Sequence, residues 1–304
     1  MKKYNEILKK YGLKPYKYEL IGKVVIITCL DKKYVLKQKN RDENNQIYKY
    51  LESRNFDYYP KIYSDNNDDY TLMEYVDEID IPKEQKMQDL IEMVALLHNK
   101  TTHYKEINPD DYKKIYEDIS NNIEYLTSYY NDILEIIESH IYMSPSEYLL
   151  ARNCSKIFGS LNYCKKEIKA WLDIIKNKKK QRFVVLHNNL DLSHFIKNKD
   201  YYLLNWEKSK IDIPIFDIYK LYKRNAIDFD FSSLLKLYEK SYPLLEEERK
   251  LFFILISLPD KIEFSNNELE DCIKISKFID YMYKTESLLS PYYSKEGKEQ
   301  ENNK

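Results

Sequence analysis

The hydrophobic pattern of the chain changes period once, at about Asp77, and that switch restricts the fold more than any other feature. Before it, short runs rich in β-branched and aromatic residues follow one another closely: Tyr16 to Ile21, Val24 to Leu30 and Lys33 to Lys37. Gly22-Lys23 and Asp31-Lys32 separate them, tight turns of the kind that join antiparallel strands. Two more strands are predicted at Pro60 to Tyr63 and Tyr70 to Val76, split by the turn-forming cluster Asp65-Asn66-Asn67-Asp68-Asp69. Short helices are expected over residues 4 to 11, stopped near Gly12, and over roughly Asp42 to Ser53, where Ile47, Tyr50 and Leu51 share a face.

After Asp77 the apolar residues recur at helical spacing. Met87 to His98 is amphipathic, and residues 112 to 141 carry a long stripe that includes Ile119, Ile123 and Leu126. Two further helices are predicted, Pro145 to Ile157 and Leu161 to Ile175, the second running into the basic turn Lys176-Asn177-Lys178-Lys179-Lys180. Two short strands, Phe183 to Leu186 and Tyr201 to Leu204, flank a loop, and helices resume at Ile215. The expected class is therefore α+β: a small antiparallel β-rich lobe over 1–77, a larger mostly helical lobe over 78–293, and a flexible charged tail over 294–304.

The 304 residues suffice for two lobes with separate cores. A net charge of -1 gives no global attraction to nucleic acid or an anionic membrane, so neither is an expected partner. The best apolar run, Leu251 to Leu258, is far short of a membrane span. Met1-Lys2-Lys3 is followed by no apolar segment, so no secretion signal is read and the default address is cytoplasmic. Cys29, Cys154, Cys164 and Cys272 are scattered and read as reduced thiols rather than zinc ligands. Only 4 glycines are present, which argues against a glycine-rich loop over phosphates.

Several motifs, taken in order, resemble those of the aminoglycoside phosphotransferase and choline kinase branch of the protein-kinase-like superfamily. Tyr34-Val35-Leu36-Lys37 resembles the strand whose lysine meets nucleotide phosphates. Leu72-Met73-Glu74-Tyr75-Val76 resembles the hinge between lobes. Ala95-Leu96-Leu97-His98 resembles an L-x-x-L-H helix. His187-Asn188-Asn189-Leu190-Asp191-Leu192-Ser193-His194-Phe195-Ile196 resembles the catalytic loop H-G-D-L-x-x-x-N-I/L. Leu204-Asn205-Trp206-Glu207 resembles I-D-W-E, and Pro214-Ile215-Phe216-Asp217-Ile218 resembles P-x-x-D-L. Within the branch, the pattern is most similar to the spore-coat-associated, CotS-like phosphotransferases of Gram-positive bacteria.

The resemblance implies a role for each matched position. Lys37 would meet nucleotide phosphates, with Glu43 of the next helix as its candidate partner or as ordinary surface charge. Glu74, Tyr75 and Val76 would offer backbone to adenine. Phosphoryl transfer further needs a proton-accepting carboxylate and oxygen ligands for Mg²⁺. The proton-accepting aspartate falls on Asn189, the metal-binding asparagine on His194 and the metal-binding aspartate on Asn205, so all three positions are changed. His187, Trp206 and Asp217 match the anchors that hold the loop. Retained anchors with lost chemical groups imply a pseudokinase, a binding or scaffold protein for a protein partner or small molecule, with no cofactor expected. The alternative is an ATP- and Mg²⁺-dependent small-molecule phosphotransferase with a rearranged site, in which Asp191 replaces the lost base and Glu207 or Asp212 holds metal.

Overall fold

The computed structural model describes residues 4–39, 46–64 and 68–302. In chain order the elements are α1 (Asn5–Lys10), β1 (Lys17–Ile21), β2 (Val24–Thr28), β3 (Lys33–Gln38), α2 (Gln46–Ser53), β4 (Tyr70–Glu74) and α3 (Lys83–Thr101). Then follow β5 (His103–Glu106), α4 (Pro109–Ser139), α5 (Pro145–Lys176), β6 (Lys180–Leu186), β7 (Phe195–Lys197), β8 (Tyr201–Leu203) and β9 (Lys210–Asp212). The chain ends with α6 (Ile215–Asn225), α7 (Phe231–Ser241), α8 (Glu246–Ser257) and α9 (Glu268–Asn302). They form two compact units, Met1–Thr101 with His187–Lys210, and Thr102–Leu186 with Ile211–Lys304. The predicted α+β class is present as a small antiparallel sheet and a larger, mostly helical part.

In the first unit β1 to β4 form an antiparallel sheet in sequence order. Gly22 makes the β1–β2 turn at φ 58°, a conformation that costs a residue with a Cβ. Val25, Ile27, Leu36 and Leu72 line one face of the sheet and bury Ile7 and Leu8 of α1 against it. Gly12 ends α1 in the left-handed conformation at φ 65°, while the Leu13 amide reaches back to the Leu8 carbonyl at 2.9 Å. The expected strand over Pro60 to Tyr63 is reduced to a single bridge, Ile62 to Met73. Pro60 has no amide hydrogen to give to a ladder, so pairing begins only after it. The helix over Asp42 to Ser53 is described from Gln46; Glu43 lies outside the described residues.

The second unit is built on an antiparallel pair of long helices. Asn108 caps α4, its side chain accepting from the Asp110 amide, and Pro109 supplies the preset first-turn geometry. Ser144 and Glu147 form a capping box at the start of α5. The two helices predicted over 145–175 are one. Gly159-Ser160 reads as a break, but Ile157, Leu161, Cys164, Ile168 and Trp171 continue a single buried stripe through it. Packing outweighs the helix cost of one glycine, which is about 1 kcal/mol. The late strands also pair differently: β6 lies between β5 and β9, and β8 pairs with β7. Strands of three or four residues carry too little periodicity to be read from sequence. Helix α9 continues through Asn302, over the stretch expected as a tail.

One buried ion pair fixes β6 to the start of α8. Arg182 Nε donates to Glu248 at 2.6 Å, and its Nη2 donates to the Pro243 carbonyl at 2.6 Å. Glu248 also accepts from the Leu245 amide at 3.0 Å, so it caps α8 at the same time. Burial opposes the Arg182 charge, but the Glu248 carboxylate outweighs it and holds the guanidinium pKa above its usual value. The Arg182 plane also stacks on Tyr242, 4.2 Å from the ring centre. Arg182→Ala strands a carboxylate whose side chain is 0% exposed, and should cost about 3–5 kcal/mol. Chemical denaturation checks this; a loss below about 1 kcal/mol would show that the pair is not needed.

Candidate functional site

The site is built entirely within the first unit, from β3 and residues 187–208. Strand alternation sends Leu36 into the core, where it is 1% exposed, and turns Lys37 to the opposite face. There Lys37 Nζ donates to Asn205 Oδ1 at 3.2 Å and pairs closely with the Glu207 carboxylate. Both partners of the ion pair are about one-fifth exposed, at 19% and 22%. Two segments more than a hundred and sixty residues apart in sequence therefore meet at one ammonium.

Residues 187–208 are folded by their own backbone. His187 is fully buried, and its Nε2 faces the Leu204 carbonyl at 2.7 Å. A carbonyl only accepts, so Nε2 carries the proton. The Trp206 ring packs edge-on to His187 with centroids 4.8 Å apart, and its indole N–H donates to the Leu203 carbonyl at 2.8 Å. Phe56 closes the other side of the indole at 6.0 Å. Asn188 has φ 61° and donates from its amide to the Lys208 carbonyl at 2.8 Å. His187, Asn188 and Trp206 thus tie the loop to the segment after β8.

Asn189, His194 and Asn205 are connected in the same way. His194 Nδ1 donates to the Asn189 carbonyl at 2.8 Å, which leaves the neutral ring's lone pair on Nε2. The His194 carbonyl accepts from the Leu204 amide at 2.8 Å, and the next residue is Asn205, at φ 63°. A bonded path therefore runs from Asn189 through His194 and Leu204 to Asn205 and Lys37. The β7–β8 hairpin between them is fastened by Lys197, which donates to Asp89 of α3 at 2.7 Å, and by the Ile79 amide on the Lys197 carbonyl. That hydrogen bond with Asp89 raises the Lys197 pKa.

Other candidate residues have local duties. Asp191 Oδ1 accepts from the Ser193 amide at 2.8 Å and the Ser193 hydroxyl at 2.6 Å, capping the turn at Leu192–His194. The hinge amides of Glu74 and Tyr75 donate to the carbonyls of Lys61 and Lys33. Val76 is partly buried beyond the end of β4. Asp212 and Asp217 belong to the second unit, where Asp212 accepts from the Ile213 amide and Asp217 is buried in the first turn of α6. His103 stands in β5 with its ring 6.2 Å from Phe183.

The oxygen donors of the site are engaged by an ammonium. The Asn205 oxygen and the Glu207 carboxylate face the same ammonium, and His194 presents an imidazole nitrogen to a cation that prefers oxygen. Among the described residues, no three His, Cys, Asp or Glu side chains gather as a metal site. The sequence marks Glu207 as a metal candidate; the structure pairs it with Lys37. The signal was its position two residues after Asn205, on a segment already expected near the lysine.

No family model matches the sequence, and no curated protein matches it. Solved structures do. The chain is similar to an aminoglycoside phosphotransferase from Alicyclobacillus acidocaldarius, with a TM-score of 0.69 at 10% identity over 95% of this chain and 94% of that one. The AMP-bound complex of a spectinomycin phosphotransferase aligns at 0.55 and 12% identity over 93% and 97% of the two chains. The complex with ADP and spectinomycin aligns at 0.50 and 13% over 94% and 98%. The fold is thus the protein-kinase-like fold of the aminoglycoside phosphotransferases, as the ordered motifs implied. No helix among the described residues is long and apolar enough to cross a membrane.

Glu207→Gln removes the charge that neutralises Lys37 while keeping the side chain's shape. The variant should bind inorganic tripolyphosphate about tenfold more tightly than the unmodified chain, the equivalent of roughly 1.4 kcal/mol. Isothermal titration calorimetry reads this directly, and equal affinities would mean that Glu207 does not hold the lysine.

Proposed function

We propose that the chain is a pseudokinase, a kinase-fold protein that acts by binding or scaffolding rather than by phosphoryl transfer. The observation that carries this reading is the internal pairing of Lys37 with Glu207 and Asn205. The lysine that would meet phosphate has a protein carboxylate instead, and the position that would anchor magnesium has become the neutral amide beside it. Asn189 adds no basicity near neutral pH, so a substrate hydroxyl would lack a proton acceptor there. Placement in the spore-coat branch is a proposal supported by the sequence motifs alone.

A second reading keeps activity. It is favoured by Glu207, which returns one carboxylate to the pole of the site that lost its aspartate. In that reading phosphate would displace Glu207 from Lys37 and free the carboxylate for a cation. The two readings part on magnesium. With about 1 mM ATP, adding Mg²⁺ should not raise the melting temperature of the unmodified chain, whereas binding at a hundredfold excess over Kd would contribute about 2.7 kcal/mol. Asn189→Asp, His194→Asn and Asn205→Asp together should introduce a magnesium-dependent rise. A rise in the unmodified chain supports the active reading and overturns the first.

A further inference from the structure

The second unit carries two exposed surfaces of opposite character at the two ends of its long helix pair. At one end, the turn between α4 and α5 holds Ile141 and Tyr142 at 91% and 89% exposure, with Met143 beside them. The start of α9 adds Leu269 and Ile273, also exposed. Large apolar side chains this far out of a fold mark interaction surfaces when they gather in one place. The two helix starts are joined here: the Ser146 amide at the start of α5 donates to Glu268 at the start of α9 at 2.6 Å. That bond holds the Glu268 carboxyl below the usual carboxylate range.

The turn is also preformed. Glu147 accepts from the Ser144 amide at 2.7 Å and pairs with His140 Nδ1 at 2.9 Å, which fastens both sides of the exposed tip. A tip already ordered in the free chain loses little entropy on docking. Its surroundings are acidic. No Lys or Arg occurs from residue 131 to 151, which holds Asp132, Glu135, Glu138 and Glu147. From 262 to 273 Glu263 and Asp271 are paired with the flanking Lys261 and Lys274, so Glu268 and Glu270 carry that stretch's surplus. The negative surplus at the tip is carried by Asp132, Glu135, Glu138 and Glu270.

The other end of α5 is basic. Lys165, Lys169 and Lys176 are exposed, and helical spacing puts them on one stripe with Asp173, which pairs with Lys176 and leaves the stripe a net positive charge. Lys179 and Lys180 extend the charge into the turn, and Tyr104 of β5, 61% exposed and opposite Arg182 in the sheet, offers an apolar surface there. The 32 residues of α5 span about 48 Å, several Debye lengths at physiological salt. The two ends of one molecule therefore cannot neutralise each other, but the ends of two molecules can.

We propose that the chain self-associates head to tail, the acidic apolar tip of one copy seating on the basic end of α5 of the next. The contact is heterologous, so each copy keeps one surface open and the assembly grows beyond a dimer. It rests on the surface of the second unit and stands whether or not the Lys37 site is catalytic.

Sedimentation velocity on the purified full chain tests this. At about 50 mM salt the chain should form species larger than a dimer as concentration rises, and about 0.5 M salt should return it to monomer. Ile141→Lys with Tyr142→Lys removes the tip, and Lys165→Glu with Lys169→Glu and Lys176→Glu removes the stripe. All five side chains are exposed, so folding is kept, as circular dichroism would verify. Each variant alone should be monomeric, and an equimolar mixture should give a dimer and nothing larger, because one intact tip then meets one intact stripe. A monomeric wild type at about 0.1 mM in low salt would overturn the proposal. So would persistent association of either variant alone, or a mixture that stays monomeric.

Discussion

The ammonium of Lys37 is the point on which the first unit's chemistry depends. A lysine side chain turned to the uncovered face of a strand needs anions or water around it. Here the protein supplies a carboxylate from Glu207 and an amide oxygen from Asn205. The pairing stitches β3 to the segment after β8, so it contributes to folding as well as to the electrostatics of the site. It also sets what the site can accept. An incoming phosphate must compete with a carboxylate held by the same fold.

Around that contact the loop is shaped by asparagine where a glycine would be usual. The three non-glycine residues with positive φ among the described residues are Asn55, Asn188 and Asn205. Asparagine is the side chain that best tolerates the left-handed region, because its short amide can bond locally. Asn188 occupies the position of the loop glycine and uses its amide on the Lys208 carbonyl. Asn205 takes the same conformation while presenting Oδ1 to Lys37. With only 4 glycines in the chain, these left-handed positions are made with another residue type.

Much of the architecture was legible in the sequence, and the reasons are local. The β1 to β4 meander shows as alternating runs with obvious turns, and Gly12 marks the end of α1. The anchors His187 and Trp206 were readable from motif order, and they do pack together. What was missed depends on contacts that sequence distance hides. β5, β7 and β9 have three or four residues each, too few to show a period. The continuity of α5 through Gly159 follows from packing against its neighbours. Glu207 shows in the sequence only as a residue two beyond Asn205; its pairing with Lys37 is made by the folding of the hairpin and the turns after it. For Asp191 the sequence offers a rescue role and no sign of the local cap that its Oδ1 makes with Ser193.

The central claim, that Lys37 is held by protein rather than kept ready for phosphate, is open to direct observation by nuclear magnetic resonance of the lysine side-chain nitrogens. A chain labelled at lysine Nζ should show one ammonium signal that exchanges with water more slowly than those of exposed lysines, disappears in Lys37→Arg and is unmoved by Mg-ATP. A Lys37 signal that exchanges as fast as the rest and shifts when Mg-ATP is added would contradict the account.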